Sequence, residues 1–446
     1  MIKAVITTLG MINYNKVEYI FNGKKHQNIN TFPLLIECYK DDYEIIAIAT
    51  DSSLKVQKEV LEKENIDNLY LDDAIIIPDS EEYDNIFKTI NDVLNDYDEV
   101  IIDISHGFRH TPILIIINLI VQNIVNPNKI KAILFAKEIE RNTKYEIKDL
   151  VSYLDLSNIA FTLARFSENY TVSKNVNFRD KTYKVLVDNL SEFSLNLLGN
   201  SIKNLTQKDS KNLSLIERII KNIDELQKKD TKIQNLQSYL NTIKEHLQDM
   251  QNYAKLDAYK MIYQFAKIMN EKWYMLNAIT LLNEALGLYS MQLFQTYDSS
   301  INKHFTAFKA TKKQALYYLS SESSTLIKKQ HSFNTSSAKV IKEQSYTLIM
   351  NELKIIKSQD KIGFEAFKQL NEDVSNMRNN LAHANSGEAI KKVQNEIKSF
   401  IQKYETLCIT QNILQKRDKE KTVELKEITP PKSITTKSGL RIKKKI

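Results

Sequence analysis

Asp103-Ile104-Ser105-His106-Gly107-Phe108-Arg109-His110-Thr111-Pro112 stands where an apolar strand pattern, Val100 to Ile104, hands over to an apolar helix pattern that runs from Thr111 into ILIIINLIV. A glycine, an arginine and two histidines at such a junction suit an anion cradle. Helix N-termini leave N–H groups unpaired and carry positive partial charge, Gly107 lets backbone approach a ligand, and Arg109 can fork onto a phosphate. In an open parallel sheet, ligands bind beyond the carboxyl ends of the strands, where this loop would lie. The same residues also make an ordinary βα turn, with Thr111 as N-cap and Pro112 at N1.

Outward from this loop, the first third alternates strand and helix signals. Strands are expected near Lys3 to Thr8, Glu44 to Thr50, Ala74 to Pro78, Glu99 to Ile104 and Lys131 to Ala136, with Lys144 to Ile147 as a further short strand. Helices are expected near Thr31 to Tyr39, Ser53 to Glu64, Glu81 to Asn95 and Thr111 to Val125. Several strands are continuous apolar runs, as in a parallel sheet covered on both faces. The fold class is therefore an α/β Rossmann-like N-terminal domain followed by an all-α C-terminal region. The first loop, Thr7-Thr8-Leu9-Gly10-Met11-Ile12-Asn13, lacks G-x-G-x-x-G, which counts against a dinucleotide. Val17 to Asn30 reads as an inserted hairpin.

Proline placement marks the change of architecture. Pro33, Pro78, Pro112 and Pro127 lie in the first third, Pro430 and Pro431 near the end, and none between. That gap fits a helical body. Ile233, Leu236, Leu240, Ile243, Leu247 and Met250 form one apolar stripe, read as intramolecular packing or a short coiled coil. Met275 to Phe294 is a further strong helix. Ranges of 1–150, 151–255, 256–415 and 416–446 follow as α/β domain, helical linker, second helical domain and basic tail.

The net charge of +7 is concentrated in that tail, which holds eleven basic and four acidic residues from Lys416 on. It reads as a solvated, disordered extension, with RNA contact as the other possibility. The apolar run Ile113 to Val121 is too short and too interrupted to span a bilayer. Met1-Ile2-Lys3 leads straight into a strand pattern, so a soluble cytoplasmic protein is expected. Cys38 and Cys408, the two cysteines, suggest neither a disulfide framework nor a metal site.

A second constellation lies far downstream. Phe367, Leu370, Val374, Met377 and Leu381 define an amphipathic helix that stops around Ala384-Asn385-Ser386-Gly387, and on its flank sit Arg378, Asn379 and His383. Val374, Ser375, Leu381 and Ala382 offer Arg378 no carboxylate at helical spacing. On an ideal helix Arg378 and His383 point about 140° apart. They converge only if His383 lies on a frayed last turn, or if two copies of the helix face each other across a dimer. A surface arginine and a C-terminal histidine facing the helix dipole is the other reading.

Together, the D-x-S-H-G-F-R-x-x-P loop, the T-T-L-G first loop and the R-N-x-x-x-H helix end resemble the CRISPR-associated ancillary ribonucleases of type III systems, which join an N-terminal CARF domain to a C-terminal HEPN domain. The resemblance covers Met1 to about Cys408. It implies an enzyme switched on by a cyclic oligoadenylate bound across a CARF dimer, a ring of four adenylates rather than six. The ring would lie on Thr8, Leu9, Gly10 and Asn13, and on Ser105, His106, Gly107, Phe108 and Arg109. The catalytic set carries over to Arg378, Asn379 and His383. Partners implied are single-stranded RNA and a second copy of the chain, as a homodimer or higher oligomer, with no membrane.

The chemistry of these residues fits RNA cut without metal by its own 2′-OH, leaving a 2′,3′-cyclic phosphate and a 5′-OH. A histidine suits proton transfer, the role His383 would take, and Arg378 is a permanent cation. Asn379 would orient His383 or the phosphate. Carboxylates and histidines at metal-ligand spacing are lacking, so no cofactor is expected beyond the activating ring. Two alternatives stay open: a non-catalytic sensor that binds nucleic acid or a protein, and a CARF domain that cleaves its own ligand.

Overall fold

The computed structural model describes residues 2–11, 15–78, 83–107, 110–172, 178–210, 212–311, 314–383 and 387–412. The first third carries β1 (Lys3–Thr8), β2 (Val17–Phe21), β3 (Lys24–Asn28), α1 (Thr31–Tyr39), β4 (Glu44–Ala49), α2 (Asp51–Glu64), β5 (Ile75–Ile76), α3 (Tyr83–Asn95), β6 (Glu99–Asp103), α4 (His110–Val125), β7 (Ile130–Glu140) and β8 (Lys144–Asp149). All eight strands join one sheet in the order β3-β2-β8-β7-β6-β1-β4-β5. Strands β7, β6, β1, β4 and β5 run parallel, with Thr7 of β1 registered between Asp103 and Ala47. The chain moves one way from β1 through β4 to β5 and the other way from β6 to β7, so the topological switch falls between β1 and β6. Their carboxyl ends open the crevice where such sheets take ligands.

The apolar runs bury both faces of this sheet. Ala4, Ile6, Ile48, Val100 and Ile102 pack against Ile86, Ile90, Ile115 and Leu119 of α3 and α4. On the opposite face, Ala47 and Ala49 meet Phe32 and Ile36 of α1, and Val5 and Ile101 meet Leu35. The hairpin expected from Val17 to Asn30 is β2 and β3, turned by Asn22 and Gly23 with positive φ of 49° and 75°. Both values suit the tight turn that matches strand twist. It extends the sheet because β2 pairs in parallel with β8. Helix α4 starts at His110, one residue before the expected Thr111, which places Thr111 inside the first turn rather than at the cap.

From Leu154 on, the described residues form helices: α5 (Leu154–Asn169), α6 (Lys181–Leu198), α7 (Ile202–Thr206), α8 (Leu215–Lys229), α9 (Gln237–Tyr253), α10 (Ala258–Glu271), α11 (Met275–Tyr297), α12 (Ser299–Lys309), α13 (Ala315–Lys329), α14 (Thr335–Ala338), α15 (Glu343–Gln359), α16 (Lys361–Ala382) and α17 (Ile390–Tyr404), with short 3₁₀ and π turns. The chain divides into two compact units, Met1–Leu288 with Leu370–Lys403, and Tyr289–Gln369 with Tyr404–Ile446. In the first unit, the stripe from Ile233 to Met250 packs inside the chain, with Leu240, Ile243, Leu247 and Met250 buried. Among the described residues, no helix is long and apolar enough to cross a membrane.

One charged cluster ties the first helices to the base of the sheet. Asp155 is fully buried and accepts from the Arg179 and Asp180 N–H groups at 2.8 and 3.1 Å and from Arg179 Nη1 at 2.8 Å. Arg179 Nη2 donates to the carbonyls of Pro127 and Ile130. Removing the guanidinium leaves a buried carboxylate short of its counter-charge, a loss of about 3 kcal/mol or more. Arg179→Ala is therefore expected to lower the urea midpoint by that stability, while Lys181→Ala, at an exposed position, stays within about 0.5 kcal/mol of wild type. Equal midpoints for the two variants would contradict this role.

Candidate functional site

The crevice is organised by one carboxylate. Asp103 ends β6 with 1% of its surface exposed. Its Oδ2 accepts from the hydroxyls of Thr7 at 2.9 Å and Thr31 at 2.7 Å, and its Oδ1 from the Ser105 N–H at 3.1 Å and the Ser105 hydroxyl. Ser105 Oγ in turn accepts from the Ala136 N–H of β7 at 2.8 Å. Strands β1, β6 and β7 and the start of α1 are thereby fixed around the loop that follows β6.

His106 continues the frame. Its Nε2 accepts from the Thr31 N–H at 3.4 Å, at the N-terminus of α1, and its carbonyl accepts from the Thr8 hydroxyl. Burial holds the imidazole below its ordinary pKa, with Asp103 pulling weakly the other way. The ring is thus neutral, with its proton on Nδ1, as an Nε2 acceptor requires.

The two glycines bring the loops to backbone contact. Gly107 has φ +106°, and a Cβ there would lie 2.9 Å from Thr8 Oγ1; a Cβ on Gly10 would lie 3.0 Å from the Gly107 nitrogen. Gln57, buried on α2, holds the first loop by donating to the Gly10 carbonyl at 2.7 Å. Asn30 completes the link, donating to Gln57 at 2.9 Å and capping α1 through the Phe32 N–H. Leu9 points into the core beside Phe32 and Ala49, and its N–H donates to the Ile48 carbonyl at 2.8 Å. The crevice therefore unites Thr8, Leu9 and Gly10 with Ser105, His106 and Gly107. Asn13, Phe108 and Arg109 lie outside the described residues.

The second constellation forms a separate cleft of about 520 Å3 within the same unit. Helix α16 ends at Ala382, and His383 sits in the following turn, exposed to solvent. Arg378 and His383 line one cleft within one chain. Arg378 Nη1 donates to Asn379 Oδ1 at 2.9 Å, so Asn379 steadies the guanidinium, and its carbonyl accepts the His383 N–H at 3.0 Å. Opposite stand the α6–α7 corner, Leu198, Gly199 and Asn200, and Leu276, Asn277 and Thr280 of α11. Glu284, one turn beyond Thr280, is half-buried; burial raises its carboxyl pKa and Arg378 pulls it back. Among the described residues, no group of three or more His, Cys, Asp or Glu is placed to hold a metal ion.

Residues 4–140 match the family model of the CARF domain of the CRISPR system endoribonuclease Csx1. The N-terminal domain is a CARF domain. The match ends with β7 and takes in both loops of the crevice, and a CARF domain indicates cyclic oligoadenylate sensing in type III CRISPR defence. The helical remainder lies outside the match. No curated protein matches the chain.

Sequence reasoning missed Asp103 as the organiser of the CARF crevice, and Thr31, Asn30 and Gln57 as its supports. Only the first had a local signal, an acidic residue closing an apolar strand. Asn277 had none, because it reaches the Arg378 cleft through helix packing.

Two outcomes follow. Gly107→Ala combines an unfavourable positive φ with a contact on Thr8 and is expected to lose about 1–2 kcal/mol of stability, whereas Gly387→Ala, which meets nothing, stays within about 0.5 kcal/mol. Because the folded His106 resists protonation, the unfolded chain binds more protons below the ordinary imidazole value of 6.5. Its stabilising contribution is thus complete above that pH and is lost as pH falls toward the depressed folded value. Melting curves of wild type and His106→Gln should converge between pH 7 and 5; parallel curves would exclude this.

Proposed function

We propose that the chain is a homodimeric, metal-independent endoribonuclease for single-stranded RNA, activated by a cyclic oligoadenylate ring of four rather than six adenylates, in the cytoplasm. The observation that carries the reading is the cleft shared by Arg378 and His383, the one a permanent cation and the other a proton carrier. The CARF model matched here is that of a CRISPR endoribonuclease family, which supports the same assignment. Ranges 1–150 and 256–415 then act as sensor and HEPN-type nuclease, joined by 151–255. The tail from 416 on lies outside the described residues.

In the reaction, His383 takes the proton of the ribose 2′-OH as that oxygen attacks the adjacent phosphorus. Arg378, held by Asn379, stabilises the charge that builds on the non-bridging oxygens. The bond to the 5′-oxygen breaks, and that oxygen leaves as a 5′-OH after taking up a proton from water, with a 2′,3′-cyclic phosphate on the other fragment. Ring binding across two chains is supported by the outer face of α4, where Ile113, Ile117, Val121 and Ile124 are 59, 45, 52 and 43% exposed directly after the crevice loop. An apolar row of this kind is covered by a partner in a stable protein, and a second copy presents the same row.

Cleavage of a labelled single-stranded RNA tests the proposal. Cyclic tetra-adenylate is expected to raise the rate, and Arg378→Ala and His383→Ala each to lower it about 100-fold or more. Ring binding without any cleavage would leave a sensor alone, and wild-type rates in both variants would remove the site.

A further inference from the structure

The Arg378 cleft has two chemically different walls. One carries the guanidinium and the imidazole. The other is built from amides. Asn277 donates both of its amide hydrogens inward, to the Leu198 carbonyl at 2.6 Å and to Asn200 Oδ1 at 3.0 Å. Since the Leu198 carbonyl only accepts, the orientation of Asn277 is fixed, and what it can offer a ligand is Oδ1, an acceptor. Asn200, whose own oxygen is taken, offers its Nδ2 hydrogens. Its left-handed φ of 55° at the α6–α7 corner sets its position, and the Asn200 and Ser201 N–H groups close that corner on the carbonyls of Leu197 and Asn196. Thr280 adds a hydroxyl on the same wall.

An acceptor is the wrong group for a phosphate, whose oxygens also accept. A donor beside an acceptor suits the edge of a nucleobase, which unpaired RNA presents for such contacts. We infer that Asn200 and Asn277 read the base next to the scissile phosphate, so that cleavage is base-selective. This rests on the nuclease reading of the cleft and names which part of the substrate each wall holds: Arg378 and His383 take the phosphate, and the amide wall takes the base.

Asn200 is the residue to change, because Asn277 also holds the corner together. Asn200→Asp keeps the acceptor that Asn277 needs and removes the outward donors; Asn200→Gly keeps the left-handed backbone and removes the side chain. Mapping cut sites in a randomised single-stranded RNA with activated wild-type protein is expected to show a bias at one flanking position. That bias should weaken by about three- to tenfold in Asn200→Gly, the worth of one hydrogen bond, and shift in Asn200→Asp, with ring affinity unchanged in both. Identical cut-site profiles in all three proteins would overturn the inference while leaving the nuclease intact. Absence of cleavage by wild type with any ring would remove the nuclease reading first, and this inference with it.

Discussion

A buried carboxylate at the switch point of the sheet governs the CARF domain. Taking Asp103 out of water costs several kcal/mol unless its oxygens are met, and here Thr7, Thr31 and Ser105 supply four donors from three chain segments. The loop after β6 is therefore confined to one arrangement, with Ser105 bound to β7 and His106 bound to α1. Gly10 and Gly107 then meet at backbone distance, which no other residue permits at Gly107. Thr8, Ser105 and Gln57 spend their polar groups on this frame. A preorganised surface of that kind suits a ligand whose charge is spread around a ring.

Helix α6 relates the sheet to the cleft in a simple physical way. Its entry is fixed by Arg179 and Asp155 against the base of β7, and its last residue, Leu198, supplies the carbonyl that holds Asn277. The helix is eighteen residues long, roughly 27 Å. Coupling between ring and cleft requires that the ring favour one arrangement of two chains over another.

Much of this was legible in the sequence, for identifiable reasons. The apolar runs and their spacing gave the alternating elements, and Asn22-Gly23 gave the hairpin, because local pattern determines both. The D-x-S-H-G loop stood out because a glycine and charged groups rarely follow so apolar a strand. Partners of Asp103 were hidden, since Thr7 and Thr31 lie 96 and 72 residues away. Spacing on an ideal helix kept Arg378 and His383 apart, yet both line one cleft, because its opposite wall comes from the α6–α7 corner and α11, which local spacing does not reveal. Leu9 shows the converse limit: a loop position read as ligand contact turns its side chain to the core.

Calorimetric titration of the full chain with cyclic tri-, tetra- and hexa-adenylate, against linear tetra-adenylate as control, tests the preorganised crevice most directly. Saturable heat from one cyclic ligand at one ring per two chains, with little from the linear form, is the result expected. Flat traces from all three rings, or equal affinity for the linear control, would contradict it.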